Sequence, residues 1–176
     1  MNRKRVWEIV AGVVLLLVVV GVAGGILYHK RLNDQLLAAI KPGNSTVVAS
    51  LLQRGAHVNA VDKTGRTPLM LAALWRDTKL VRLLLSAGAD LEAKDREGKT
   101  ALSLAEGKAA QYESLMARGR AEVMAAVQRI EATLDRKQPG VREQIRQNRL
   151  QLSQVKSPPN PFLPMVRLLK QHGATK

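Results

Sequence analysis

The side chains best suited to chemistry are scattered along this sequence rather than grouped. Its three histidines are far apart: His29, His57 and His172. Cysteine is absent, which excludes disulfides, zinc–thiolate sites and thiol catalysis. No phosphate-binding loop, dinucleotide fingerprint, nucleophile elbow or zinc-protease motif occurs. We therefore expect no catalytic residue, no metal and no cofactor, and we predict that the protein is not an enzyme.

The acidic residues give the same answer. Glu92, Asp95 and Glu97 fall within one polar stretch, and this pattern predicts a solvated loop rather than a catalytic pair. His57 lies in a comparable stretch, so we expect it to be a loop residue.

The chain is strongly basic, with 28 Lys and Arg against 14 Asp and Glu. Arg142, Arg146 and Arg149 are spaced to share one helix face, either a solvated face or a contact for anionic lipid or an acidic partner. Aromatic residues make up 3% of the sequence and do not interleave with these arginines, so no nucleic acid is expected.

Residues 9–27 form an uninterrupted apolar run without a charged side chain. Such a helix is about 28 Å long, close to the thickness of the bilayer hydrocarbon. Basic residues flank it, and Trp7 and Tyr28 stand where interfacial aromatics are enriched. The run predicts a single-pass N-terminal anchor. A signal peptide cleaved near Ile26 is the alternative, although the run exceeds the usual signal length.

Basic residues on the two sides of the span are balanced, so orientation rests on the short N-terminal tail. Such a tail usually stays in the cytoplasm, which places the body in the periplasm or outside the cell. Gly21 and Gly25 have the spacing of a weak helix-dimer motif. The Cys-free, Val/Ala/Arg-rich composition favours a bacterial inner membrane.

A repeat with a period of 33 residues follows the span. Gly65-Arg66-Thr67-Pro68-Leu69 is matched by Gly98-Lys99-Thr100-Ala101-Leu102, and Leu51 corresponds to Leu84. Several positions share this offset without a gap, which indicates a repeat architecture. Thr67 can cap a helix begun by Pro68, and Gly88 can end the next helix.

Residues 62–73 resemble the opening of an ankyrin repeat, and residues 81–90 resemble its close. The resemblance covers about residues 32–106 and returns at 165–174. It implies an all-α solenoid of about three repeats that binds a protein partner through its groove and loops. Met70 departs from the family pattern, which usually has a histidine there, so we expect weaker locking of the turn.

The closing glycine of the third repeat, Gly173, comes 52 residues later than the period requires. Apolar stripes at helical spacing, from Met116 to Leu134 and from Val141 to Val155, predict a helical hairpin inserted between the two helices of that repeat. Pro139-Gly140 is predicted to be its turn. In a competing alignment Leu115, Met116 and Gly119 close the repeat, and the remainder is appended.

These observations divide the chain into four parts: 1–31 is the anchor, 32–107 the repeats, 108–160 the hairpin and break, and 161–176 the closing helix and tail. The resemblance implies that the exposed positions on the partner side are Lys63, Thr64, Arg66, Leu74, Trp75, Arg96, Glu97, Lys99 and Lys108. Trp75 is either a packing residue or a binding anchor.

Two functions follow. One is a membrane-anchored scaffold that binds a protein of unknown identity through the groove and loops. The other is an assembly subunit that holds a membrane complex together through the anchor and the basic hairpin.

Overall fold

The structure, a computed structural model, describes residues 3–133 and 139–174; the side chains of residues 3–12, 133, 139 and 142 lie outside this description. Every element in the described part is a helix, as the sequence predicts. The helices are α1 (Arg3–Ala39), α2 (Ser45–Gln53), α3 (Pro68–Leu74), α4 (Thr78–Ser86), α5 (Ala101–Thr133), α6 (Pro139–Gln154) and α7 (Leu163–Gln171).

Helix α1 joins the apolar run to the first repeat without a break. Its side chains from residue 13 to residue 30 are exposed, and the part from Val13 to Ala39 is long enough, and contains a stretch apolar enough, to cross a membrane by length and composition only. Its C-terminal end instead packs into the core through Leu32 and Leu36, which are buried. The boundary predicted between residues 31 and 32 therefore lies inside one helix.

Helices α1 and α2 form repeat 1, and α3 and α4 form repeat 2. Thr67 caps α3 by accepting a hydrogen bond from the Met70 amide, with Pro68 at the first helical position. Asp77 caps α4 by accepting from the amides of Lys79 and Leu80. These caps satisfy donors that helix starts leave without partners.

One aliphatic core runs through the stack. Leu51 and Leu84 occupy the same place in successive repeats, and both are buried, as is Leu169. Gly55, Gly88 and Gly173 end the three closing helices with φ angles of 94°, 84° and 90°. This left-handed conformation costs glycine little, so each closing helix can end at the same place.

Helix α5 begins as the first helix of repeat 3 and continues without interruption, so no helical break separates residues 107 and 108. Gly119 lies within this helix, which argues against its role as a closing glycine. Helix α6 returns along α5, and α7 then packs against α5 and α4 with Met165, Leu168 and Leu169 buried. This packing favours the inserted hairpin over the appended region.

The predicted turn of the hairpin is partly wrong. Pro139 and Gly140 begin α6 rather than lying between the helices, because proline is well accommodated at a first helical position. Leu134, the last member of the first apolar stripe, lies outside the described residues, as do residues 135–138.

The long helices leave the stack in opposite directions. The loops before α3 and α5 stack together, with the Arg96 amide bonded to the Thr64 carbonyl at 3.2 Å. Helix α1 passes this loop side, where His29 Nδ1 lies 3.2 Å from the Gly55 carbonyl. The turns within repeats lie on the other side, where the Gly43 amide donates to Asp77. The α5–α6 hairpin extends from this turn side.

Candidate protein-binding surface

Two aspartates separated by one repeat hold the loops in shape. Asp62 Oδ1 accepts from the amides of Thr64 at 2.7 Å and Arg66 at 2.9 Å. Asp95 Oδ1 accepts from the amides of Glu97 and Lys99, both at 2.9 Å. Each carboxylate therefore satisfies backbone donors that a tight loop leaves without helical partners.

The prediction that Glu92, Asp95 and Glu97 are all solvated is wrong for Asp95, which is buried, whereas Glu92 and Glu97 are exposed. The Oδ2 atom of Asp95 lies 3.7 Å from Arg66 Nε, and neither atom has a hydrogen-bond partner among the described residues. Stacking of the two loops buries the Asp95 carboxylate and partly covers Arg66. The pair therefore joins neighbouring loops.

The pKa of Asp62 reflects the same loop geometry. Partial burial acts to raise this pKa, but hydrogen bonds from the Thr64 hydroxyl and from the Arg66 and Thr64 amides outweigh burial. The pKa of Asp62 is therefore lowered, and the loop binds a carboxylate rather than a carboxylic acid at neutral pH.

Gly65 is required where the two loops meet. Its φ is +79°, and a side chain there would stand 3.0 Å from the Arg96 amide nitrogen. Both the backbone conformation and the available space therefore exclude other residues without strain.

Side-chain amides connect each loop to the preceding repeat. The Asp90 amide donates to Asn59 Oδ1 at 2.9 Å, and the equivalent amide of His57 donates to Asn33 Oδ1 at 2.7 Å. Asn33 belongs to α1, so this helix supplies to the loop after α2 the contact that Asn59 supplies to the loop after α4. His57 is an exposed loop residue, as predicted.

The predicted partner-side residues form two groups rather than one patch. The loop group consists of Lys63, Thr64, Arg66, Arg96, Glu97 and Lys99. The helix-end group consists of Leu74, Trp75 and Lys108. The length of α3 separates the two groups, about 10 Å for seven residues.

Exposure also differs within these groups. Lys63, Thr64 and Lys108 are exposed, but Arg66 and Leu74 are partly buried, so the expectation of full exposure is wrong for these two. Leu74 packs against the core and Arg66 faces Asp95. Both are drawn inward by neighbouring repeats, which periodicity within one repeat does not reveal.

Trp75 ends α3 with 53% of its surface exposed. The next residue, Arg76, has a φ of 60° at the position where repeat 1 has Gly43. Its guanidinium lies 5.3 Å from the centre of the Phe162 ring, just before α7. A strained arginine therefore connects the turn beside Trp75 to the segment that returns from the hairpin.

Asn160 fastens the same returning segment, and sequence reasoning missed it. Its buried side chain donates from Nδ2 to the Ala109 carbonyl at 3.0 Å and to Glu113 at 2.9 Å. The Phe162 amide donates to its Oδ1. The surrounding prolines indicate only a break, because the partners of Asn160 lie about 50 residues earlier.

The three predicted arginines of α6 do not form one free basic face. Arg149 is paired with Glu131 of α5 at 3.0 Å, and Arg146 lies 4.0 Å from Glu143. The side chain of Arg142 lies outside the described residues. Arg149 thus connects the two hairpin helices, and contact of these arginines with an anionic surface stays a prediction.

Among the residues that the structure describes, 3–133 and 139–174, no group of three His, Cys, Asp or Glu side chains is suited to a metal. What the stack offers is instead a pair of rigid loops, an exposed tryptophan at a helix end, and helices that hold them at a set spacing.

Comparisons with known proteins agree with this geometry. The inactive serine/threonine-protein kinase TEX14 of Bos taurus is 42% identical over 57 residues, which are 32% of this chain. The match spans 4% of that protein's length, so the likeness concerns a short segment. A family model of ankyrin repeats, in three copies, matches residues 36–122. Its last part falls on α5, whereas α7 occupies the place of the closing helix. With its 33-residue period, capped helices and closing glycines, the chain belongs to the ankyrin-repeat family.

Proposed function

We propose that this protein is a membrane-anchored scaffold that presents an ankyrin stack to a protein partner. Ankyrin repeats generally mediate protein–protein interaction, and the family is typically non-catalytic. The observation that carries the proposal is α1, whose apolar side chains at residues 13–27 are exposed while Leu32 and Leu36 near its end are buried in the stack. Exposed Val and Leu side chains over this length need a lipid environment.

The geometry supports one arrangement of stack and bilayer. Because α1 passes the loop side, its insertion places the loops next to the headgroups, with Lys30, Arg31 and Arg54 exposed near that level. The helix-end group around Trp75 then lies on the side away from the lipid. We therefore propose that Trp75 and Lys108, rather than the loop group, bind the partner.

The assembly alternative also has an observation in its favour, because the hairpin leaves apolar side chains uncovered. In that function the anchor and hairpin carry the interaction. A homodimer through Gly21 and Gly25 stays a proposal; both positions are open in the single chain.

Alkaline carbonate extraction tests the anchor. The full-length protein is expected in the membrane pellet, and Val18→Arg is expected to release a large share, since arginine at the centre of a span costs about 2.5–3.5 kcal/mol or more. Val61→Arg, on an exposed loop, is the matched control. A product that begins near Ile26 would establish cleavage of a signal peptide instead.

The absence of cysteine allows a test of orientation. Lys63→Cys and Gln147→Cys each introduce one thiol, at a loop and on the hairpin. A membrane-impermeant maleimide added to intact bacterial cells whose outer membrane has been permeabilised should label both if the body lies outside the cytoplasm. Labelling only after lysis of the inner membrane would reverse the proposed orientation.

A further inference from the structure

The hairpin formed by α5 and α6 contains an apolar groove of about 550 Å³ near its base. Its walls are Leu115, Met116, Val123 and Met124 of α5, together with Leu152 and Val155 near the end of α6 and just beyond it. Val123 is 52% exposed and Val155 is 60% exposed. A two-helix hairpin can cover only one side of each apolar stripe, and these side chains lie partly on the uncovered side.

The apolar stripes extend beyond the groove at the spacing of a coiled coil. Met116, Val123 and Ile130 are seven residues apart on α5, and Val141, Ile145, Leu152 and Val155 follow steps of four, seven and three from the start of α6. A heptad pattern creates a seam that accepts side chains of another helix. An extended seam fits a helix better than it fits a small molecule, which would occupy only the base.

Charge identifies the kind of helix. The two charged residues among those that line the groove, Arg120 and Lys156, are both cationic. Residues 107–156 carry ten basic and five acidic residues. A second copy of the hairpin would bring a like charge to the seam, which opposes pairing, whereas acidic flanks on the incoming helix would complement it.

We propose that the hairpin groove binds an amphipathic helix with acidic flanks, contributed by a protein other than this chain. This site is separate from the surface around Trp75, so it goes beyond the proposed scaffold function. The hairpin leaves the stack on the side opposite α1, so an anchored chain holds the groove away from the bilayer. That direction, which rests on the proposed anchor, argues against a lipid surface as the occupant.

Fluorescence anisotropy with a designed peptide tests the proposal. The probe is a labelled helix of about three heptads with Leu at a and d and Glu at e and g. It is titrated with the full-length protein in nanodiscs of neutral lipid, with empty nanodiscs subtracted. The same peptide with Lys at e and g is the matched control. Saturable binding of the Glu peptide, at least about tenfold tighter than the Lys peptide, supports the proposal.

Variants then locate the binding. Val123→Asp and Leu152→Asp, on opposite walls, are each expected to lower the affinity for the Glu peptide about tenfold or more. Circular dichroism should show that both variants retain their helicity. Lys156→Glu is expected to lower the affinity for the Glu peptide about two- to fivefold, since exposed charges contribute little. Val61→Asp, at an exposed apolar position on a loop, should leave affinity unchanged.

Four results would overturn the proposal: no binding of the Glu peptide at 100 µM, equal binding of both peptides, unchanged affinity in both wall variants, or equal weakening by Val61→Asp. Self-association in sedimentation that Val123→Asp abolishes would assign the groove to a second copy. Flotation of the nanodisc protein with phosphatidylserine vesicles, lost in Val123→Asp, would assign it to lipid. The carbonate test of the anchor is independent of all these outcomes.

Discussion

The ankyrin stack and the α5–α6 hairpin are both made of aliphatic amphipathic helices, yet they differ in how much of that surface they cover. In the stack Leu84 and Leu169 are fully buried. In the hairpin Val123 and Ile130 remain about half exposed. Each repeat gains a neighbour on its apolar face. The described residues of α5 and α6 pack against each other and leave part of their apolar surface exposed.

The strongest test of this contrast compares leucines of the two regions. Leu84→Ala and Leu169→Ala should each lower the free energy of unfolding by about 2–5 kcal/mol, because each leaves a cavity in the core. Leu115→Ala, on the hairpin, should change it by only about 0.5 kcal/mol, as for other surface positions. Thermal unfolding of the full-length protein in micelles, followed by circular dichroism, measures all three.

The same experiment decides how the third repeat closes. If the appended alignment were correct, Leu115 would be the core residue, and its substitution would be the costly one. An unchanged midpoint for Leu169→Ala would contradict the place assigned to α7.

Trp75 tests whether the stack has a binding surface of its own. Trp75→Ala should weaken binding of the partner by about 2 kcal/mol or more if this side chain is an anchor. Its exposure leads us to expect little change in the melting temperature. Pull-down of the full-length protein from a native membrane extract, followed by titration with the recovered partner, measures the first quantity. Normal capture by a folded variant would remove this surface and turn attention to the hairpin groove.

Substitutions of Asp95 and Asp62 compare the stability contributed by a buried loop carboxylate with that contributed by a more exposed one. Asp95→Ala should cost about 1–3 kcal/mol, because it leaves the Glu97 and Lys99 amides and the Arg66 side chain without a carboxylate. Asp62→Asn should cost less at neutral pH. The folded pKa of Asp62 is depressed, so its stabilisation is complete above the pKa of the unfolded aspartate, near 3.9.

That stabilisation is lost as the pH falls through the lower, folded pKa. Between pH 6 and pH 2 the melting temperature of Asp62→Asn should therefore fall less than that of the unsubstituted protein. Identical pH profiles would contradict the role assigned to this carboxylate.

A small effect on stability is expected where the stack and the hairpin meet. Arg76→Gly removes a contact with Phe162 that contributes about 0.5–1 kcal/mol to stability. It also relieves a left-handed backbone conformation, so the net change in stability should be under about 1 kcal/mol. Arg76→Ala keeps part of the strain and loses the contact, so it should be the less stable variant. The opposite order of melting temperatures would exclude this balance.

The sequence predicts well what one repeat determines by itself. The period, the Thr67 cap, the closing glycines and the buried leucines all follow from local spacing, and the structure confirms them. It predicts poorly what depends on neighbours. Asp95 is buried only because two loops stack, and Arg149 turns to α5 because Glu131 lies opposite it.

The continuity of α1 from the apolar run into the first repeat does not follow from a residue pattern. Polar residues after the apolar run mark a change of environment and predict a boundary there, although a helix can pass from one environment into another without a break. The site residues remain predictions. Their division into a loop group and a helix-end group arises from the length of α3, which no residue pattern within the loops encodes.

The unbroken helix α1 has a mechanical consequence. A helix is stiff over these lengths, and His29 and Asn33 of α1 contact the end of α2 and the loop that follows it, so the apolar part of α1 and the stack are joined without a flexible linker. If α1 spans a bilayer as proposed, a tilt of this helix, about 20° on average for membrane-spanning helices, is transmitted to the whole ankyrin stack as a lever movement. Rotation about the helix axis turns the head by the same angle. A bilayer that changes thickness would thereby re-aim Trp75 and the hairpin together, without any change inside the ankyrin stack.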